Sequence, residues 1–430
     1  MLTRRQTLRA LGAAGVAAPL VTACGGRGGG SAAPPVSGSD LRLVKADVEA
    51  SAGDPSAVAG VVSAMRAFTH DLWGVVGGSG DNLALSPYSI AVALAMTANG
   101  ARGSTARAMT DVLHVDSLAT YNAGMAALTQ ELAGLAGPVH VDGKKDEIAL
   151  SAANQLFGDA SIAWLPAFLT VLAKQYDAGM RTVDFVHDPG RALTQINAWT
   201  AGQTHDRIPH ILPPGSVDDS TRLVLVDALY FKAPWATPFE KTATSSGPFH
   251  RADGTTVDAQ LMSTSEGATA VAGAHCRGAV LPYADSTLAM TVALPDPGQE
   301  SAALVELLAG LDQTVSSGLE LVMPTWTYRV DTDLKTPLES LGMRVAFDAT
   351  ADFSGMTREV GLFISDVLHQ TYVAVDEAGT EAAAATAVVV DEASGVMTSE
   401  RLVLDRPFLF AIHDTAHGTP LFVGRVADPS

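Results

Sequence analysis

The chain has 430 residues, 47% of them hydrophobic and 17% charged, with a formal net charge of −19 at pH 7. That is enough apolar chain for one large core or two. Such acidity argues against nucleic acid or a polyanion as a partner and suits solubility outside the cell.

The first predicted segment is an address and not part of a fold. Arg4, Arg5 and Arg9 supply a positive start, and an apolar run follows from Leu11 to Ala23, too short to span a membrane. The arginine pair is similar to a twin-arginine export signal, and Val21-Thr-Ala-Cys24 resembles a lipobox. Residues 1–23 are therefore expected to be removed and Cys24 lipidated, which places the protein outside the cytoplasm, lipid-anchored to a bacterial cell envelope or secreted. Residues 1–23 contain no acid, so processing makes the chain more negative by its lost arginines. Residues 24–50 read as a flexible tether, Gly-, Ser-, Ala- and Pro-rich as far as Asp40, and residues 51–430 as the folded part. With Cys24 acylated, Cys276 has no intrachain partner and reads as a small hydrophobe.

Within the folded part, a short strand is expected to reach Leu85. Ser86 and Pro87 then open a helix on which Ile90, Ala93, Leu94 and Thr97 recur at helical spacing, closed by Gly100. Thr221–Lys232 is a long apolar run, as in a central strand buried on both faces. His413 and His417 are four apart, but they sit around Asp414 and Gly418 between two strand-like runs, which favours a turn over a helical metal pair. No Gly-x-Ser-x-Gly elbow, His-Glu-x-x-His pair or Walker-type loop occurs, so the usual hydrolase and nucleotide-binding chemistries lack their residues. No cofactor and no metal are expected.

The most informative stretch runs from Val375 to Val390. A valine-rich strand pattern breaks at Gly379, enters an alanine block and ends in a β-branched run before Asp391 and Glu392. At a period of two, Thr380, Ala382, Ala384, Thr386, Val388 and Val390 share one parity and are small or apolar throughout. The charges Glu381 and Asp391 fall on the other, with Ala383 and Ala385 between them. An alanine run also has high helix propensity, so the segment has two accessible conformations and the character of a switch.

This segment resembles the hinge of the reactive-centre loop of serpins, the serine protease inhibitor family, and the resemblance extends from about Ala57 to Pro429. Its other landmarks are the Ser86-Pro-x-Ser-Ile90 core with Gly100-Ala-x-Gly-x-Thr105, Asn154–Phe157, Val183–Phe185, Ile196–Ile208, Pro234–Phe239, Ala351–Met356, Asp405–Phe410 and Pro420–Pro429. The resemblance implies an α+β serpin fold: one domain, multi-domain-like in size, with about nine helices, three β-sheets and an exposed loop over about 377–402. Periodicity alone gives only mixed α and β.

What the resemblance implies about function is an irreversible suicide substrate and not an enzyme. A target serine protease attacks the loop and forms an acyl-enzyme. The freed half-loop then enters the main sheet as a new strand, carrying the protease with it and stalling deacylation. Roughly fifteen residues at about 3.3 Å each move the protease on the order of 50 Å. Insertion favours small inward groups, because a charged one carries a desolvation cost of several kcal/mol. Thr380, Ala382, Ala384 and Thr386 meet that demand, and Gly379 frees the bend.

Counting from Glu377 in the family's register puts the reactive bond between Ala393 and Ser394; shifts of a few residues would choose Glu392, Val396 or Met397. Ala393 suits elastase-like or subtilisin-like enzymes, and the absence of Lys or Arg between Glu377 and Glu400 disfavours trypsin-like ones. Some serpins also trap cysteine proteases. The resemblance assigns Ser86, Ser89 and His369 to the shutter beneath the sheet, with Asp227 standing where the family has Asn. It assigns Trp235 to the breach where the loop enters. Beside His369, Asp227 is expected to favour an imidazolium and a charge-assisted pair. The chain is expected to be a monomer that meets a membrane only through its lipid. The alternative function is a non-inhibitory serpin-fold carrier.

Overall fold

The computed structural model describes residues 41–313, 318–359, 361–381 and 400–430. The hinge residues Ala382, Ala383, Ala384, Ala385 and Thr386, the reactive-bond residues Glu392, Ala393, Ser394, Val396 and Met397, and the lipidation site Cys24 lie outside them.

Three β-sheets organise the described residues. The largest, of nine strands, runs in the order β1 (Arg42–Val44), β6 (Met180–Val183), β5 (Gln155–Asp159), β7 (Leu223–Pro234), β16 (Gly379–Thr380), β15 (Asp366–Val375) and β14 (Trp326–Asp333). β4 (Lys144–Ala152) continues the β5 side of β7, and β3 (Gly137–Val141) pairs with β4. A six-stranded sheet is ordered β10 (Thr269–Ala272), β11 (Cys276–Pro282), β12 (Leu288–Pro295), β18 (Phe408–Asp414), β19 (Thr419–Val426) and β2 (Leu83–Leu85). A four-stranded sheet is ordered β17 (Glu400–Val403), β13 (Leu319–Pro324), β9 (Thr256–Thr264) and β8 (Ser245–His250).

Eight α-helices occur among the described residues: α1 (Val58–Val76), α2 (Pro87–Ala98), α3 (Gly103–Val112), α4 (Leu118–Ala133), α5 (Pro166–Tyr176), α6 (Pro189–Gln203), α7 (Glu300–Ala309) and α8 (Lys335–Leu338). About nine were expected from the resemblance. α6 stops at Gln203, short of the Ile208 boundary read from sequence, because His205 and Asp206 take left-handed conformations that end a helix.

Two elements position the site. α2 starts as the sequence predicts: the Ser86 side chain caps it by accepting from the Ser89 N–H, and Pro87 occupies the first turn. All twelve of its residues are buried, as a helix wedged between β7 and β19 requires. β7 is the central strand expected from its apolar run, with every residue buried except the half-buried Lys232. One edge of β7 pairs with β5 and β4, and the other with β15 and β16.

The tether ends earlier than expected. Leu41 is buried against Phe157, Val183 and Phe185, and Arg42–Val44 pair antiparallel with β6 at the edge of the large sheet. Lys45 reaches the Asp177 carbonyl at 2.8 Å, and the Ser51 N–H donates to Lys174 O at 2.7 Å. Of the ten residues after Asp40, those from Leu41 to Lys45 are bound to the fold. The free edge of β6 and a single well-placed leucine are enough to hold a sequence whose composition reads as linker.

Candidate functional site

The site is the seam between β7 and β15. From Asp366↔Val224 to Thr371↔Leu229 these strands pair directly and in parallel. Beyond Leu229 they diverge, and the gap is filled by the start of the predicted hinge. The chain leaves β15 at Val375 and turns through Asp376, whose carboxylate accepts from the N–H groups of Ala378 (2.8 Å) and Gly379 (3.2 Å). It returns as β16, with Thr380 opposite Val375 on one side and Ala233 on the other. Gly379 and Thr380 thus already form a short strand inside the sheet, ahead of the insertion that the resemblance reserves for a cleaved loop.

Each of these two residues fits its place for a specific reason. A Cβ at position 379 would lie 2.2 Å from the Ala233 carbonyl oxygen and 2.7 Å from Pro234 Cα, both backbone, so only glycine passes. Thr380 is 2% exposed, and its hydroxyl meets the Tyr283 hydroxyl at 2.6 Å. Burial raises the pKa of that phenol, which keeps it protonated and able to donate. Tyr283 in turn stacks on Trp235, ring centroids 4.7 Å apart and planes 9° from parallel. Trp235 holds the turn twice, its backbone N–H donating to Ala378 O (2.9 Å) and its indole N–H to Asp376 O (3.0 Å). Glu377 is tied through its carbonyl to the Phe239 N–H at 2.8 Å and through its carboxylate to the Thr244 hydroxyl at 2.7 Å. The predicted entry residue Trp235 is therefore in direct contact with the hinge turn.

The predicted shutter residues also come together, under the directly paired half of the seam. His369 and Asp227 are ladder partners, and Nδ1 of His369 lies 2.9 Å from Oδ1 of Asp227 with both side chains fully buried. The Ser86 backbone N–H donates to His369 Nε2 at 3.0 Å. That bond corrects the expected imidazolium. Nε2 is an acceptor, so the ring is neutral and donates from Nδ1 to the Asp227 carboxylate. Charge assistance remains, carried by the carboxylate alone. Asp227 Oδ2 has no partner, leaving a buried carboxylate satisfied at one oxygen. Ser89 donates from its hydroxyl to Asn154 Oδ1 and not to Asp227. Asn154, the residue just before β5, is thus the partner of Ser89, a contact that the sequence reading had not identified.

Glu381 follows β16 in a left-handed conformation, outside the strand to which the period-two reading applies, and its side chain forms an ion pair with Arg207. Sequence reasoning missed Arg207, which lies 174 residues away in the turn after α6. At the other end of the predicted loop, Glu400–Val403 is β17, paired in parallel with β13, so the loop ends before the expected 402.

The remaining candidates resolve simply. Cys276 is buried, and burial pushes its thiol up to about 11, as an inert small hydrophobe requires. His413 is the next-to-last residue of β18 and bonds Thr291 at 2.8 Å, whereas His417 lies in the following turn and bonds Glu131 at 2.7 Å. The two rings serve different partners. Among the described residues no group of three or more His, Cys, Asp or Glu is arranged to hold a metal ion.

Comparison with known proteins extends this geometry to the whole domain. The family model described as Serpin (serine protease inhibitor) matches residues 63–429. Leukocyte elastase inhibitor of Bos taurus is 36% identical over 362 residues, covering 81% of this chain and 93% of the relative. Serpin B4 of Homo sapiens is 34% identical over 368 residues, covering 81% and 94%. Among solved structures, the thermophilic serpin tengpin in its native state aligns with a TM-score of 0.78 at 26% identity, covering 90% of this chain and 99% of that one. A serpin of the insect Tenebrio molitor aligns at 0.73 and 26%, covering 86% and 98%.

Proposed function

This chain belongs to the serpin (serine protease inhibitor) family, and we infer that it is itself an inhibitor and not an enzyme. From that premise we propose that it acts as a suicide substrate. A serine protease cuts the segment after the hinge, and the acyl-enzyme is trapped as the cut strand advances down the β7–β15 seam.

The observation that carries this reading is the seating of Gly379 and Thr380 between β7 and β15. Strand addition has begun at the end of the seam where the two strands diverge, and beyond Glu381 the sequence continues with four alanines and Thr386. Advance then requires parting the pairs from Thr371↔Leu229 toward Asp366↔Val224. Each ladder bond lost to a neighbour is remade to the incoming strand, so the net gain is an extra strand in the sheet.

The reactive bond in this reading is Ala393–Ser394, with Glu392, Val396 and Met397 as the neighbouring registers. The targets are elastase-like or subtilisin-like enzymes, in keeping with the small residue at 393; cysteine proteases come second. The protein acts as a monomer, held to a bacterial cell envelope through lipidated Cys24 after loss of residues 1–23, or secreted.

The test mixes the protein with pancreatic elastase and, separately, with subtilisin. Inhibition by trapping yields an SDS-resistant complex and a small C-terminal fragment beginning at Ser394. Clean cleavage with no complex and no gain in thermal stability would instead assign the carrier role. Radiolabelled palmitate incorporation that is lost in Cys24→Ala tests the anchor; unlabelled wild type would refute it.

A further inference from the structure

The strand β16 ends at Thr380, and the next residue, Glu381, supplies a cause. Glu381 is in the left-handed region at φ 51°, which ends the strand and turns its side chain out of the sheet. Its N–H still bonds Ala374 O at 2.8 Å, while its carboxylate is captured by Nε of Arg207. The Glu381 side chain is only 9% exposed, so capture takes it largely out of water.

Arg207 is itself fixed. Its guanidinium lies 5.4 Å over the ring of Tyr372 in β15, and its carbonyl accepts from Arg329 of β14. Two residues earlier, His205 packs on Tyr230 of β7, ring centroids 4.5 Å apart. The turn Thr204–Arg207 therefore rests one ring contact on each of the two strands that must part. It is braced by Asp206 N–H to Ala201 O at 2.8 Å and Arg207 N–H to Thr204 O at 2.9 Å.

We propose that Arg207 is a positioning residue for inhibition: with His205 it latches the β7–β15 seam and holds Glu381, fixing the hinge at two inserted residues until the loop is cut. To seat the next residue, Glu381 must leave the left-handed region, give up Arg207 and let Tyr230 and Tyr372 move apart. The latch therefore opposes premature advance while the segment is intact. The proposal rests on the insertion reading above, but the contact is a property of the uncut protein and can be measured without any protease.

The experiment compares wild type with Arg207→Met, Glu381→Gln, the double variant and Arg207→Lys. Hydrogen exchange is followed in the peptide spanning Val375–Glu381, alongside spontaneous conversion of the uncut protein to a more heat-stable form. Each of the two charge-removing variants is expected to speed exchange and conversion by up to roughly fivefold, the upper end of the range for a partly exposed ion pair. The double variant should be no faster than either single one, and Arg207→Lys should lie between Arg207→Met and wild type. Salt at about 1 M should speed wild type but not Arg207→Met. Exchange at the wild-type rate in Arg207→Met, or strictly additive effects, overturns the latch. The insertion reading is judged separately, by whether the loop-cut protein gains thermal stability, so either idea can fall alone.

Discussion

His369 in β15 donates from Nδ1 to the Asp227 carboxylate in β7 at 2.9 Å, across the seam that an incoming strand must occupy. A strand inserted between them would hold the two residues roughly 9 to 10 Å apart, beyond hydrogen-bond reach. The bond is therefore available to the uncut protein and absent after insertion, which makes it a selective stabiliser of the uncut state. Asp227→Ala should lower the stability of the uncut protein by about 1–3 kcal/mol, the cost of stranding a buried donor. It should leave the loop-cut form nearly unchanged. Urea unfolding of both forms gives the comparison, and equal losses in the two would refute the selective role.

The inserted pair supports a second, sharper comparison. Gly379→Ala places a methyl 2.2 Å from the Ala233 carbonyl oxygen, and Thr380→Arg places a charge where the native residue is 2% exposed. Neither residue carries the main core, so the protein should still fold. Thr380→Arg should convert inhibitor into substrate: normal cleavage, no SDS-resistant complex. Gly379→Ala should raise the number of inhibitor molecules consumed per protease trapped, because the first step of insertion is obstructed while the later small residues remain. An undiminished complex from Thr380→Arg would count against insertion as the trapping step.

The parts of this site that were legible in the sequence are those whose signal is local. Ser86-Pro87 announced a capped helix start, and Thr221–Lys232 announced a strand buried on both faces. What stayed hidden depends on distant partners. Arg207 is one arginine in a turn, and nothing in its neighbourhood says that it meets a residue 174 positions on. The protonation of His369 followed from the Ser86 backbone N–H, a donor that every residue but proline carries and that no side-chain pattern reveals. Leu41 was overlooked because a Gly- and Ser-rich neighbourhood outweighed one apolar residue, although β6 offered it an unpaired edge.

That edge strand gives a third prediction. A Cβ on Gly179 would sit 2.7 Å from the Val44 carbonyl oxygen and close to the Lys45 side chain. Gly179→Ala should therefore lift the strand Arg42–Val44 off β6 while leaving β6 paired with β5. The expected cost is about 1–2 kcal/mol in overall stability, from lost ladder bonds and partial exposure of Leu41. The more direct measurement is limited trypsin digestion. Cleavage after Arg42 and Lys45 should become fast in the variant and remain slow in wild type; equal rates would show that the segment is not held.

His413 sets a pH dependence with a definite sign. Burial pushes its imidazole down to about 4, and the carboxylate of Asp414 next to it opposes this only in part. In the unfolded chain the same ring titrates near the ordinary value of about 6.5. Between these two pH values the unfolded state binds the extra proton and the native state does not, so stability rises with pH across the window. It is fully present above about 6.5 and is lost as pH falls toward 4. The difference corresponds to as much as about 3 kcal/mol. In the folded protein the neutral ring bonds the Thr291 hydroxyl at 2.8 Å between β12 and β18, so His413→Gln keeps a polar partner for Thr291 but removes the titration. Chemical unfolding from pH 7 to pH 4 should show wild type losing more stability than His413→Gln, with the divergence beginning near pH 6.5. Parallel curves would mean that another group governs the acid limb.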